Sequence, residues 1–99
     1  YDRDHVSVGC AALLLRVQPP GQIVLVSDAV AAMGMPDGEL HADGEDYVIK
    51  DGRVTVKSNG RLAGSATPLL EGVRRLSEDT GLPPHEALAM ATRAPARLL

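Results

Sequence analysis

The chain has 99 residues, room for one small domain and too few for a complete (β/α)8 barrel. A net charge of −3, with both signs scattered and no basic stripe, argues against a nucleic-acid surface. No apolar run is long enough to cross a bilayer, so no membrane partner is expected.

The apolar share, 44%, comes mostly from Ala, Val and Leu; Phe and Trp are absent and Tyr occurs twice. Such side chains suit helix-on-sheet layers, and the shortage of aromatic bulk suggests a piece of a larger core. Nothing at Tyr1 resembles a signal peptide, and the start reads like the middle of a sequence. Cys10 has no partner for an internal disulfide, which suits a reducing cytoplasm. Its apolar neighbours predict burial rather than reactivity.

In chain order, Val8 to Val17 is apolar and stops at Pro19-Pro20-Gly21, predicting a short, well-buried helix. Ile23-Val24-Leu25-Val26 reads as an interior strand of a parallel sheet, apolar on both faces. Gly34, Pro36, Asp37 and Gly38 mark an irregular loop. A hairpin follows over about 45–57, with Asp51-Gly52 supplying the positive φ angles of a type I′ turn. Asn59-Gly60 marks a second turn before Arg61 to Ser65.

Thr67-Pro68 then opens a helix over about 68–80, with Leu69, Val73 and Leu76 on one face and Gly81 closing it. Pro83-Pro84 opens another over about 84–93, with Ala87, Leu88 and Ala91 inward and a break at Ala94-Pro95. Only one parallel strand is visible, and the hairpin looks like an excursion from a βα loop. The expected class is therefore α/β, a part of a (β/α)8 barrel whose remaining sheet lies outside this chain.

Ser27-Asp28 follows directly on the buried run, at the end where parallel α/β folds gather ligands and catalytic groups. An Asp there can bind metal, hold water or move a proton; it can also simply cap the turn at Ala29. His41 and His85 lie far from this segment, and no His or Cys pair has metal-ligand spacing. Ser27 and Ser65 have no local base for nucleophilic catalysis. Arg74 and Arg75 suit a solvated helix face better than a phosphate clamp.

Val26-Ser27-Asp28-Ala29, continued through Ala31 to Glu39, resembles the strand-eight segment of N-acetylglucosamine-6-phosphate deacetylases, which are metal-dependent amidohydrolases. Gly60-Arg61-Leu62-Ala63-Gly64-Ser65 is similar to their second signature. The helix pair also resembles theirs, from Glu71 to Arg74, through Glu86-Ala87-Leu88, to Pro95-Ala96-Arg97. Asp2-Arg3-Asp4-His5-Val6 is similar to the family's Asp-Gly-x-His-Val stretch, with Arg3 where glycine is usual.

The resemblance covers nearly all of residues 1–99 and implies the C-terminal portion of the catalytic barrel. It implies that Asp28 is general base and acid, and that His5 and Leu62-Ala63-Gly64 bind substrate, His5 through the sugar phosphate. A divalent metal ion, zinc first, would take most of its ligands from outside the chain, leaving this segment inactive alone. The implied partners are an amino-sugar phosphate and a second subunit in a homodimer, in the cytoplasm. Another amidohydrolase, or a non-catalytic fragment that binds a partner, is the alternative.

Overall fold

Ser7 starts the first helix, α1 (Val8–Val17), by accepting the Cys10 N–H on its hydroxyl at 3.2 Å. The prolines that follow cannot continue the helix, and the chain turns through a single 3₁₀ turn at Pro20–Gln22. In this computed structural model, which describes residues 1–99, Tyr1–Val26 and Leu69–Leu99 form one compact unit and Ser27–Pro68 a second.

In the helical unit, Ile23 to Val26 does not form a strand. Ile23 has extended angles, but the only cross-chain bonds are Leu25 N–H to the Met90 carbonyl at 2.9 Å and the Tyr1 amino group to the Val26 carbonyl at 3.2 Å. A parallel ladder needs a neighbouring strand, and these residues supply none. Leu25 is buried, but Val26 is 61% exposed, so the expected burial on both faces is corrected. The same correction applies to α1: only Ala11 is buried, while Leu13, Leu14, Val17 and Cys10 are exposed. An apolar helix needs a packed layer on each side, and only one is present here.

α2 (Leu69–Thr80) turns Val73 and Leu76 into a core shared with Ala11, Leu25, Ala87 and Met90. Its outer face carries Glu71, which accepts from Arg74 and Arg75 at (i, i+3) and (i, i+4) spacing. Gly81, at φ +73, ends it with an N–H donated to the Ser77 carbonyl. α3 (Pro84–Ala91) buries Ala87 and Met90 rather than Leu88, which faces solvent, and a four-residue helix α4 (Arg93–Ala96) follows the break at Thr92.

The second unit is a four-stranded antiparallel meander: β1 (Gly38–Ala42), β2 (Glu45–Lys50), β3 (Arg53–Val56) and β4 (Leu62–Ser65). Both β1–β2 and β2–β3 close through Asp-Gly turns. Asp43-Gly44 and Asp51-Gly52 all have positive φ, as type I′ geometry requires. The segment expected to be a loop at Gly38 is therefore an edge strand, paired Leu40 to Tyr47. Ile49 pairs with Val54 on the next ladder, and both are buried with Ala32 and Ala66. The sheet is thus larger than a hairpin, and nothing in it is parallel beyond one isolated bridge.

Leu76 is 4% exposed and Leu70, on the same helix, is 72% exposed. Leu76→Ala is expected to cost about 2–5 kcal/mol and Leu70→Ala less than about 0.5 kcal/mol, read by urea unfolding of each variant.

Candidate functional site

Asp28 adopts the left-handed conformation, φ +52, which aspartate tolerates better than most side chains because its short polar group can bond locally. Two backbone bonds to Ser65 flank the next residue, Ala29, and one of them is made by Asp28. Its carbonyl accepts the Ser65 N–H at 3.0 Å, and the Val30 N–H donates to the Ser65 carbonyl at 3.1 Å. These bonds bracket the isolated parallel bridge Ala29–Ser65. The Ser27 hydroxyl accepts the Ala29 N–H at 3.3 Å, closing the turn. The main chain around Asp28 is thus fixed, while its side chain is exposed and its carboxylate has no hydrogen-bond or ion-pair partner.

Gly64 is what lets β4 come this close. A Cβ there would overlap the Val30 Cγ1 and stand 3.2 Å from the Asp28 carbonyl oxygen, at a φ of +99 that L side chains rarely adopt. Between the pairings Arg53–Ser65 and Thr55–Leu62, β4 carries one residue more than β3, so the strand bulges around Ala63 and Gly64. Asp28 and Leu62-Ala63-Gly64 therefore share one corner of the sheet unit. Ala63 also lines a small cavity of about 80 Å³ with Val30, Leu40, Tyr47 and Val54. Asp28 is not part of that cavity, whose walls are mostly apolar.

His5 belongs to the helical unit. It sits in a turn organised by Asp2, a residue to which sequence reasoning assigned no role. Asp2 Oδ1 accepts the N–H groups of Asp4 and His5, each at 3.0 Å, and Oδ2 lies 2.7 Å from His5 Nδ1. Burial alone would push the Asp2 carboxyl up, but the His5 backbone and imidazole and the Asp4 N–H outweigh it and hold the group at about 2. An aspartate with donors two and three positions ahead is a legible turn signal.

Arg3, in the glycine position of the resembled motif, keeps the left-handed backbone at φ +76. Its guanidinium is tied in two bonds to Asp79 on α2, at 2.7 and 2.8 Å, and Tyr1 Oη donates to the same carboxylate at 2.9 Å. Of the other histidines, His41 pairs with Asp46 across β1 and β2, and His85 lies in the first turn of α3. No three His, Cys, Asp or Glu side chains come together to hold a metal ion, so this chain alone does not fit a resident divalent cation.

No family model matches the chain. Its fold is that of a segment of the amidohydrolase-type deacetylases. In particular, the chain resembles the hexosamine-6-phosphate deacetylases. It is 45% identical over 78 residues to N-acetylgalactosamine-6-phosphate deacetylase of Escherichia coli O157:H7, covering 79% of this chain and 20% of the relative. It is 35% identical over 99 residues to N-acetylglucosamine-6-phosphate deacetylase of Bos taurus, covering 99% of this chain and 24% of the relative.

The Mycobacterium smegmatis N-acetyl-D-glucosamine-6-phosphate deacetylase, solved as a mutant in complex with N-acetyl-D-glucosamine-6-phosphate, superimposes with a TM-score of 0.83. The identity is 29%, over 99% of this chain and 27% of that one. The chain spans between 18% and 46% of the length of the curated relatives it matches.

Two outcomes follow from the geometry. Gly64→Ala is expected to destabilise the sheet unit by more than about 2 kcal/mol, through overlap and backbone strain together. Gly60→Ala, with open space around it, should cost about 1 kcal/mol from the backbone alone; denaturant unfolding of the pair reads the difference. The Asp2 group is depressed in the fold from an ordinary 3.8 to about 2. It therefore contributes stability fully above about pH 4 that is lost as pH falls through about 2, and Asp2→Asn should flatten that part of the stability profile in thermal melts across the window.

Proposed function

We propose that this chain is part of an enzyme that hydrolyses the acetamido group of an N-acetylhexosamine 6-phosphate. Water adds to the acetyl carbonyl, the carbon–nitrogen bond breaks, and acetate and the hexosamine 6-phosphate are released. The observation that carries this reading is the Asp28 carboxylate, backbone-pinned beside Gly64 and free of any partner, in a chain whose matched relatives bear this activity in their names.

In this reading Asp28 takes a proton from the attacking water and returns it to the departing amine. One group can do both because it lies between nucleophile and leaving group. An amine leaves poorly unless protonated, so the second transfer matters as much as the first. Leu62-Ala63-Gly64 offer main-chain groups to the sugar, and the bare Gly64 permits a close approach. His5 binds the ester phosphate. The divalent ion that the resemblance implies, zinc by our reading, would take most of its ligands from outside these 99 residues, and no step here runs through it. The working form would be a cytoplasmic homodimer.

A second reading concerns the sugar. Identity is higher to the galactosamine-type relative, 45%, than to the glucosamine-type one, 35%. The two substrates differ only at the C4 hydroxyl, so one acetate-release assay on both separates them. In the enzyme that carries this chain, Asp28→Asn should lower kcat by about 10²–10⁴-fold with KM little changed; unchanged turnover removes Asp28 from the chemistry. Chelation should abolish acetate release by that enzyme but leave the thermal melt of residues 1–99 unmoved, because no ligand cluster lies within them.

A further inference from the structure

We infer that Asp2 is the positioning residue of His5: it holds the imidazole with a proton on Nδ1, so that the ring can meet a sugar phosphate as a cation through Nε2. This inference rests on the phosphosugar reading above and assigns a role to a residue outside the set Asp28, His5 and Leu62 to Gly64.

The geometry is specific. Asp2 is 7% exposed, yet its carboxylate is satisfied by two backbone N–H groups and by the imidazole. An ionised carboxylate only accepts, so the proton in the 2.7 Å contact sits on His5 Nδ1. That leaves Nε2, on the far edge of the ring of an exposed residue, as the nitrogen without a partner in the chain.

A neutral ring in this tautomer would present a lone pair to the phosphate and repel it. A ring protonated on both nitrogens donates to Asp2 on one side and to the phosphate on the other. With an acceptor facing each nitrogen, both hydrogen bonds require the ring to donate on both sides. Neither end of the arrangement is loose. Arg75 donates to the Asp2 carbonyl at 3.1 Å, and the Arg3–Asp79–Tyr1 cluster ties the same turn to α2.

Asp2→Asn is the informative variant. Its amide oxygen can still accept the Asp4 and His5 N–H groups, so the turn keeps its bonds. Its amide nitrogen would face Nδ1 as a donor, which moves the imidazole proton to Nε2 and removes the reason for the ring to be charged. In the enzyme carrying this chain, Asp2→Asn should raise KM for the phosphorylated sugar about tenfold with kcat within about twofold.

For the unphosphorylated N-acetylhexosamine, kcat/KM should stay the same. In a His5→Gln background, Asp2→Asn should have no further effect on KM, because the ring it positions is gone. Nitrogen-15 spectra of the His5 ring should show Nδ1 protonated in the parent and Nε2 protonated in the variant.

An equal KM rise in the His5→Gln background, or equal losses on both sugars, would mark Asp2 as merely structural and overturn the inference. If the parent enzyme releases no acetate at all, the deacetylase reading fails instead. Titration with inorganic phosphate then decides the role of Asp2 separately. Saturable shifts of the His5 ring that vanish in Asp2→Asn uphold it, and their absence overturns it.

Discussion

The pairing of Ser65 with the Asp28 carbonyl and the Val30 N–H, on either side of Ala29, is the constraint on which the sheet unit's candidate site depends. A left-handed residue outside glycine costs free energy on the order of 1 kcal/mol or more, and it persists only where neighbours over-determine it. Here the neighbours include two main-chain bonds to one residue of β4, made by the Asp28 carbonyl and the Val30 N–H. The carboxylate consequently stands on a fixed backbone without a local partner. Gly64 belongs to the same device, since a Cβ there would overlap the Val30 Cγ1 and crowd the Asp28 carbonyl.

The helical unit uses an aspartate in the opposite way. Asp28 is exposed and unsatisfied, whereas Asp2 is buried and satisfied by three donors. Burying a carboxylate carries a large desolvation cost unless hydrogen bonds to the charged form offset it, and here they exceed it. The left-handed Arg3 next to it is compensated differently, by a two-bond ion pair to Asp79 that also anchors Tyr1. A glycine would adopt that backbone without strain but would forgo the link to α2.

The solvent-facing apolar side chains of the helical unit have a common origin. Val26, Leu13, Leu14 and Val17 lie on an extended segment and a helix whose chemistry suits burial between layers. Within these residues the extended segment finds one helix carbonyl and one amino group in place of a strand on each side. The relatives are about two to five times longer than the stretch they share with this chain.

The amino-acid sequence by itself determined the local pieces. Asp51-Gly52 dictated a tight hairpin because both residues accept positive φ. The spacing of Leu69, Val73 and Leu76 dictated one buried helix face, and Pro19-Pro20 ended α1. The Asp43-Gly44 turn was equally legible, and overlooking it turned β1 into a supposed loop. The resemblance of the Asp28 and Leu62 to Ser65 segments also lay in the sequence, as did the family it pointed to.

Only the tertiary structure decided that Ile23 to Val26 goes unpaired, that Cys10 and Leu88 face solvent, and that Ser65 pins Asp28. It also revealed Asp2 under His5. Hydrophobicity along a chain says which residues prefer burial, but burial and pairing require a second surface, and which surface arrives is a non-local matter that no short window contains.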